Sequence, residues 1–380
     1  MLKMIYISQG NIPSKWAHTM QTMKMAEAFS QIVSDFRLLV QAHWTWFFRR
    51  RFDYEGWYGI TNRFKIARIP VRGIPSSRII EDHLFPDFDK KATQYAFRLQ
   101  PDFIYTRSLY AARLCIEAGL KTLVEQHAPP HFSEFKWLFP VVKQKNLLGV
   151  VTITDALKKA YADSGIDESK IMVWPSAVDL GRYSDLKEKH AIREELGISQ
   201  EDRIATYCGH FYEHKGVSYL IEAAKLLPEV KFYLIGGWPQ DLINYGKICH
   251  DLDNVILTGF IPNSDVPKYL SASDILLLPN SIKYEQAYIT SPLKLFEYMA
   301  SKKPIIAAKI PAFENILIHG ENAYLVEPDS TSSIVTAILN LINNSKFSDE
   351  LSEGAWKTVQ SYSWVNRAQS ILKHFGFLLS

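Results

Sequence analysis

One carboxylate stands inside an otherwise apolar segment that reads SPLKLFEYMASKKPIIAA, residues 291–308. The apolar side chains recur at the three-and-four spacing of a helix face, with Pro292 in the first turn and Pro304 ending the helix. Residues 305–308 then read as a short strand buried on both faces of a parallel sheet. The carboxylate is Glu297, near the start of the predicted helix. A lone glutamate on a helix is usually solvated, so a role for Glu297 depends on what lies beside it.

A loop with basic side chains, GHFYEHKG at residues 209–216, follows another strand-like run. A strand-end glycine, then basic residues, then an apolar helix over 217–227 suggest a place where amides and cations surround phosphate. The spacing is neither that of a Walker P-loop nor that of a GxGxxG fingerprint, and a lysine such as Lys215 is most often a surface residue. However, ligands collect at the carboxyl ends of parallel strands. A diphosphate attached to a ribose would need both the cations of this loop and the carboxylate of Glu297.

Strand-like and helix-like runs alternate along almost the whole chain, which is typical of βαβ units and a parallel sheet. The runs form two series on either side of a connector, residues 173–183, that contains Pro175 and has no clear periodicity. The predicted strands are 4–8, 36–40, 65–69, 103–105, 122–125 and 149–154, then 203–208, 231–235, 254–258, 275–279, 304–307 and 323–326. We therefore predict two doubly wound α/β domains joined near Pro175.

The composition fits a globular protein of about two domains and narrows its partners. Hydrophobic residues make up 47% and charged residues 22% of the 380 residues, and the net charge of +3 is too small to indicate nucleic acid. The apolar runs are shorter than a bilayer span, and the N-terminus lacks a signal-peptide pattern, so we expect a cytoplasmic protein. Cys115, Cys208 and Cys249 are widely spaced, which predicts neither a disulfide framework nor a zinc site.

Several motifs in order resemble retaining glycosyltransferases of family 4. In the second half these are GxxxxxKG at 209–216, YLIGG at 233–237, NVILTGFIPNSDVPKYLSASDILLLPN at 254–280, SPLKLFEYMASKKPIIA from 291, and YSWVNRAQSIL at 362–372. The first half is similar less sharply, through IPSKWAHTMQTMKMAEAF, IYTRSLYAARL and VEQHAPPH. The resemblance covers nearly the whole chain.

This resemblance implies the GT-B architecture, in which two Rossmann-like domains face each other across a cleft. Residues 1–175 would form the acceptor-side domain, with the C-terminal helix 363–380 crossing back onto it, and residues 176–362 would bind the nucleotide sugar. Glu297 would hold the ribose hydroxyls, because a carboxylate accepts two hydrogen bonds from a vicinal diol. The other donor-binding residues implied are Gly10, Asn11, Gly209, His210, Lys215, Gly237, Phe260, Thr290, Ser291 and Leu293. We expect no cofactor and no metal, since no DxD motif follows a strand.

The catalytic residues implied by the family are His127, which would orient the transferred sugar, and Lys215, which would bind the diphosphate. The implied mechanism is front-face substitution, in which the leaving diphosphate deprotonates the acceptor hydroxyl. His18 and Arg107 are weaker acceptor-side candidates, and Arg107 could equally sit in a structural ion pair.

The sequence departs from the family pattern at two positions. The first glutamate of the Glu-x7-Glu pair is replaced by Ile289, so sugar hydroxyls would be recognised by amides of residues 288–291 or by Glu285. The arginine beside the loop glycine is replaced by His210, which could titrate near neutrality or act only as a neutral donor.

Aromatic and basic residues are concentrated in HWTWFFRRRFDYEGWY, residues 43–58. Trp44, Trp46 and Phe47 beside the run Arg49–Arg51 suit an anionic membrane surface or a lipid-linked diphosphate acceptor. Packing of the aromatics inside the first domain explains the composition equally well, and binding of nucleic acid is not expected.

The function predicted from these residues and this resemblance is transfer of a hexose, first of all glucose from UDP-glucose, to a glycan or lipid-linked glycan. Two alternatives stay open. A UDP-amino-sugar 2-epimerase also has paired Rossmann-like domains, but it would need carboxylates at the sugar. A sugar-binding module without activity would share the same binding residues.

Overall fold

The computed structural model of this chain describes residues 2–14, 16–43, 54–71, 86–131, 134–184 and 186–378. The chain forms two compact units, one made of Met1–Pro175 with Trp364–Ser380 and the other of Ser176–Ser363. Among the described helices, none combines the length and apolar character needed to cross a bilayer.

Strands and helices alternate throughout both units. The strands are β1 (Lys3–Ser8), β2 (Asp35–His43), β3 (Lys65–Val71), β4 (Phe103–Thr106), β5 (Thr122–Gln126), β6 (Leu147–Thr152), β7 (Ile171–Val173), β8 (Arg203–Gly209), β9 (Val230–Gly236), β10 (Val255–Gly259), β11 (Ile275–Leu278), β12 (Ile305–Ala308) and β13 (Tyr324–Val326). The helices are α1 (Ala17–Ile32), α2 (Tyr54–Tyr58), α3 (Pro86–Leu99), α4 (Leu109–Glu117), α5 (Asp155–Asp163), α6 (Gly181–Ser184), α7 (Lys189–Leu196), α8 (Val217–Leu226), α9 (Pro239–Ile248), α10 (Val266–Ala272), α11 (Gln286–Ile289), α12 (Leu293–Ala300), α13 (Thr331–Asn343), α14 (Ser345–Val359) and α15 (Trp364–His374).

Each unit is built on one parallel sheet. The order in the first sheet is β3-β2-β1-β4-β5-β6-β7, and in the second it is β10-β9-β8-β11-β12-β13. The order reverses between β1 and β4 and again between β8 and β11, so the loops beyond these strands diverge and leave a crevice at the carboxyl edge. The predicted doubly wound α/β class is confirmed, and the two reversal points define where each unit would bind a ligand.

The central strands of each sheet, next to the reversal point, are buried under helices. Every residue of β4, β5, β11 and β12 is buried, because helices cover both faces of a parallel sheet. The helix that carries Glu297 begins at Leu293, with Pro292 as its N-cap and not in its first turn, and it ends at Ala300, before Pro304. Glu297 is half-buried, so its carboxylate is less exposed than is usual for a helical glutamate.

The last helix, α15, belongs to the first unit and packs against α1. Its Arg367 is fully buried and pairs with the fully buried Glu125 at the end of β5, at 2.9 Å between Nη2 and Oε1. Arg367 also donates to the carbonyl oxygens of Pro175, at 2.9 Å, and Trp174, at 3.4 Å. One guanidinium thus ties the residues where the chain leaves the first unit to the helix with which it returns.

Burial alone would raise the pKa of Glu125, but the adjacent Arg367 guanidinium outweighs it and holds this pKa well below the ordinary range. A buried pair is not necessarily more stable than apolar residues would be, but losing one partner leaves the other charge uncompensated. Because folding lowers the pKa of Glu125, the stabilisation is present above the unfolded value of about 4.5 and is lost as the pH falls.

We expect Arg367→Met to lower the stability of the first unit by roughly 3–5 kcal/mol, the cost of breaking a buried pair. Arg113→Met on α4, which removes an exposed pair with Glu117 at 2.8 Å, is the control and should cost about 1 kcal/mol or less. Urea unfolding followed by tryptophan fluorescence would measure both. Equal, small losses would show that the buried pair contributes nothing to the fold.

Candidate functional site

The second unit carries its site at the carboxyl end of β8, beside the reversal point. Gly209 ends this strand with φ of +143°, a conformation that residues with a Cβ rarely adopt. A Cβ at Gly209 would lie 2.7 Å from Nζ of Lys294 and 3.2 Å from its Cε. The glycine therefore leaves room for a lysine side chain that reaches from α12 to the end of β8.

Lys294 was not singled out from the sequence, yet it lies at the centre of this site. Its Nζ is buried, has no hydrogen-bond partner among the described residues, and lies 3.6 Å from the ring centroid of Tyr207. Burial and the nearby charge of Lys215 lower the pKa of Lys294 well below the ordinary value. An ammonium in such surroundings gains stability from any anion that reaches it, since a buried charge is costly unless paired.

Lys215 approaches the same place from the loop after β8. It ends a single 3₁₀ turn, Glu213–Lys215, and the next residue, Gly216, has φ of +71°. A Cβ at Gly216 would overlap the carbonyl oxygen of Pro279, so only glycine lets this loop pack against the end of β11. Burial lowers the pKa of Lys215 to about 8. Lys215, which was predicted from the sequence, and Lys294, which was not, are thus held close together in a partly desolvated place.

The start of α12 adds peptide dipoles and a carboxylate to these cations. Pro292 is extended, with ψ of 135°, and its carbonyl accepts from the amide of Leu295 at 3.1 Å. The amides of Leu293 and Lys294 belong to the first turn of α12, where the positive end of the dipole favours an anion. Glu297 lies one turn further along, and its negative charge raises the pKa of Lys294. Cations and carboxylate are therefore close enough to interact.

Ser291 and Thr290 lead into this helix, but the Ser291 side chain already has a partner. Its Oγ accepts from the amide of Ser176 at 2.8 Å, and its carbonyl accepts from the Ser176 hydroxyl at 2.6 Å. The Ser291 hydroxyl therefore keeps its proton and one lone pair for a ligand. Thr290 caps α11 through its own amide, which donates to Gln286 at 3.1 Å, and its side chain is half-buried.

His210 is held by an aromatic stack. Its ring lies 4.9 Å from that of Trp238 with an interplanar angle of 14°. Burial lowers the pKa of His210, and the charge of Lys294 lowers it further. The neutral form of His210 is therefore favoured near pH 7, and its role toward a ligand stays a prediction.

The two remaining donor candidates of this unit, Gly237 and Phe260, follow the strands β9 and β10. The amide of Gly237 donates to the carbonyl of Gly209 at 3.1 Å, which joins the ends of β9 and β8. Phe260 follows the edge strand β10 and is 48% exposed.

In the first unit, His127 lies just beyond β5 and binds Glu125, with 2.5 Å between Nε2 and Oε1. Gln21 links this pair to Arg107, because its amide nitrogen donates to Glu125 at 3.0 Å and its oxygen accepts from Arg107 at 3.3 Å. Burial, reinforced by the charge of Arg107, lowers the pKa of His127 to about 4. Of the predicted residues, His127 and Arg107 therefore share one network, and sequence reasoning did not find its centre, Glu125.

The loop after β1 holds the other predicted residues of this unit. The amide of Gly10 donates to Oγ of Ser8 at 3.4 Å, and a Cβ at Gly10 would lie 3.4 Å from Nε2 of His18. His18 itself is exposed, and its ring stacks with Trp16 at 6.3 Å. The side-chain oxygen of Asn11 accepts from Gln41 at 2.7 Å. Gly10 and His18 are thus neighbours, whereas Asn11 is oriented by the strand beside it.

Two sequence predictions receive no test from these contacts. Trp44, Trp46, Phe47 and the run Arg49–Arg51 lie outside the described residues. Within the described ranges, no three histidine, cysteine or acidic side chains are grouped as metal ligands.

Comparison with known proteins shows which proteins this chain is similar to. The sequence model described as Glycosyl transferases group 1 matches residues 188–358. A putative teichuronic acid biosynthesis glycosyltransferase of Bacillus subtilis is 27% identical over 253 residues, which cover 64% of this chain and 60% of the relative. A UDP-Gal:alpha-D-GlcNAc-diphosphoundecaprenol alpha-1,3-galactosyltransferase of Escherichia coli is 26% identical over 219 residues, 54% of each protein. The chain thus spans just over half the length of these curated relatives.

Solved structures match over nearly the whole chain. Alr3699/HepE of Anabaena, crystallised with UDP, has a TM-score of 0.76 at 17% identity and covers 99% of this chain and 100% of its own. A sucrose-phosphate synthase of Thermosynechococcus elongatus has a TM-score of 0.78 at 17% identity, with 98% of both chains covered. At this identity the likeness shows the fold, which is that of GT-B glycosyltransferases.

The whole chain has the fold of GT-B glycosyltransferases, and residues 188–358 match the family model of the glycosyl transferases group 1. The recognition made from the sequence motifs is confirmed: residues 188–358 belong to the glycosyl transferases of group 1.

The pKa of Lys215, at about 8, predicts how binding of UDP varies with pH. Its positive charge is lost as the pH rises through this value, so affinity for a diphosphate should fall about tenfold between pH 7 and 9. The terminal phosphate, with a second pKa of about 6, stays ionised throughout this range. Lys215→Arg should flatten the decline, because an arginine remains charged. Calorimetric titration with UDP at several pH values measures this decline, and Lys225→Arg on the exposed face of α8 is the control. If the affinity of the wild-type protein, Lys215→Arg and Lys225→Arg fell equally with pH, Lys215 would not belong to the site.

Proposed function

We propose that this protein is a retaining hexosyltransferase that takes its sugar from a nucleoside diphosphate. The observation that carries the proposal is the buried, unpartnered ammonium of Lys294 beside Lys215, at the start of α12 and one turn from Glu297. Two cations and a helix N-terminus suit a diphosphate, and the carboxylate suits the ribose attached to it.

The cations would act on the leaving group. When the bond from the anomeric carbon to the β-phosphate oxygen breaks, its electron pair remains on the nucleoside diphosphate, so negative charge develops there. Fixed ammonium groups and amides in a poorly solvated place stabilise developing charge without reorganisation. Lys215 and Lys294 would supply this stabilisation, with Leu293 contributing its amide and Thr290 and Ser291 their hydroxyls.

The donor is proposed as UDP-glucose. Neighbouring structures of Alr3699/HepE are described in complex with UDP and with UDP-glucose, and the E. coli relative is named for transfer from UDP-Gal. These names support a uridine diphosphate sugar. Glucose is the first choice, and Gly237, Phe260 and the His210–Trp238 stack are the proposed surroundings of the donor in the second unit.

The acceptor hydroxyl would attack from the face on which the diphosphate leaves. The acceptor oxygen bonds to the anomeric carbon, and the hydroxyl proton passes to the departing phosphate oxygen. His127 would orient the sugar, Gly10 and Asn11 would approach the diphosphate, and His18 and Arg107 are proposed for the acceptor side. No metal or cofactor is invoked.

The acceptor is proposed as a glycan or lipid-linked glycan of polysaccharide biosynthesis. Peripheral contact with an anionic membrane surface is proposed from the sequence of residues 43–58 alone. Salt-sensitive binding to anionic vesicles would support that contact, and no binding at low salt would remove it.

A transfer assay separates this function from the alternatives. With UDP-glucose and a panel of octyl glycosides, we expect release of UDP and formation of a new glucoside that keeps the α configuration of the donor. Proton NMR of the product would determine this configuration. EDTA should leave the rate nearly unchanged. Inversion of the configuration would overturn the retaining mechanism, epimerised UDP-sugar would indicate the 2-epimerase, and binding without release of UDP would indicate a sugar-binding module.

Glu297→Ala should weaken UDP binding by roughly 1.5–3 kcal/mol, the value of hydrogen bonds to a charged group. The wild-type protein should also prefer UDP over 2′-deoxy-UDP, and the variant should bind the two alike, because the contact with the ribose is gone. Calorimetric titration with Glu222→Ala, an exposed glutamate on α8, provides the control. A preference for UDP that survives in Glu297→Ala would assign the ribose to another residue.

A further inference from the structure

The imidazole of His127 is bound at one edge only. Nε2 lies 2.5 Å from Oε1 of Glu125 and 3.2 Å from the amide nitrogen of Gln21, whereas Nδ1 has no hydrogen-bond partner among the described residues. The Gln21 amide donates to Oε1 of Glu125 at 3.0 Å, so the shorter contact of Nε2, with the carboxylate, decides where the Nε2 proton lies. The side chain keeps 17% of its surface exposed, while that of Glu125 keeps 1%. The histidine is thus anchored on its inner edge and offers the rest of its ring to a ligand.

Glu125 can only accept at this position, because donors already surround both of its oxygens. Arg367 donates to Oε1 at 2.9 Å and to Oε2 at 3.3 Å, Gln21 donates to Oε1 at 3.0 Å, and the Tyr105 hydroxyl donates to Oε2. The Arg367 guanidinium keeps the carboxylate ionised. A short contact between an ionised carboxylate and an imidazole nitrogen requires the proton to be on that nitrogen.

The charges around His127 allow it only one proton. Burial and the positive charges of Arg107 and Arg367 disfavour the imidazolium, the negative charge of Glu125 favours it, and the balance is a pKa of about 4. A neutral imidazole with its proton on Nε2 carries a lone pair on Nδ1.

We propose that Glu125 is a positioning residue that holds His127 as the neutral Nε2–H tautomer, so that Nδ1 accepts a hydrogen bond from a hydroxyl of the sugar. Arg367 supports this indirectly by keeping Glu125 ionised. The tautomer stands on the geometry alone, and naming a sugar hydroxyl as the partner rests on the proposed function.

This assignment predicts that the ligand group at Nδ1 of His127 is a hydrogen-bond donor. A lone pair on Nδ1 attracts a hydroxyl donor and repels a phosphate or a carboxylate, so His127 would select the sugar and not the diphosphate. The same tautomer also makes Nδ1 unable to donate to a leaving group. His127 therefore orients the sugar through an accepted hydrogen bond, in contrast to the lysines of the second unit.

Nitrogen-15 NMR of the full-length protein tests the tautomer directly. The His127 ring signals are identified by their loss in His127→Asn. In the wild-type protein at pH 7 we expect the shifts and couplings of a neutral Nε2–H ring, and in Glu125→Gln we expect a mixture of tautomers, since a glutamine can donate as well as accept. An Nδ1–H ring or a charged ring in the wild-type protein would overturn the proposal.

A pH titration of the same signals measures the pKa of His127, which a general loss of stability would not change. Arg107→Met should raise the pKa of His127, because the positive charge that lowers it is removed, and Arg113→Met on α4 should leave it unchanged. An unchanged pKa in Arg107→Met would contradict the charge arrangement on which the neutral ring depends.

Transfer kinetics test the hydroxyl contact separately. His127→Asn places an amide near the position of Nδ1 and can still accept, whereas His127→Gln places it near Nε2. We expect kcat/KM to be about 2- to 12-fold higher for His127→Asn than for His127→Gln, the range of one neutral hydrogen bond. Equal losses would overturn the sugar contact while leaving the tautomer intact, and a wild-type protein without transfer activity would reject the proposed function and not the NMR result.

Discussion

Lys294 is the constraint on which the second unit depends, because its ammonium is buried at the end of β8 without a hydrogen-bond acceptor in the described part of the chain. Several local features follow from that placement. Gly209 has no side chain where Lys294 must pass, and Gly216 lets the loop bring Lys215 close enough to lower the pKa of Lys294. The face of Tyr207 gives the ammonium its closest electrostatic support. An ammonium buried without an acceptor lowers the stability of the fold but favours binding of an anion, and we therefore propose that Lys294 binds the diphosphate.

The buried charges of the first unit, in contrast, are paired and hydrogen-bonded. Glu125 is surrounded by donors from α1, α15 and β4, and Arg367 is engaged with two backbone carbonyls besides the carboxylate. A fully satisfied network of this kind makes the local structure rigid. The contrast separates two kinds of role. Compensated charges fix the positions of α15 and of His127, whereas Nζ of Lys294 has no hydrogen-bond partner among the described residues, and we propose that a ligand supplies one.

The sequence predicted the repetitive part of the fold well, because short apolar runs between helical segments carry a clear signal. The strand β12 was predicted to within one residue, as 305–308 and as 304–307, whereas β7, Ile171–Val173, was missed because three residues show no periodicity. Lys294 was overlooked because a lysine on an amphipathic helix is usually solvated, and only the Gly209 backbone shows where its Nζ goes. Glu125 and Arg367 are 242 positions apart, so no local pattern could pair them.

The most direct test of the donor site is a crystal structure of this chain grown with UDP. We expect the diphosphate within hydrogen-bond distance of Nζ of Lys215, Nζ of Lys294 and the first amides of α12, with the ribose hydroxyls on the carboxylate of Glu297. UDP bound elsewhere in the second unit, or a diphosphate that leaves Lys294 without a partner, would contradict the account.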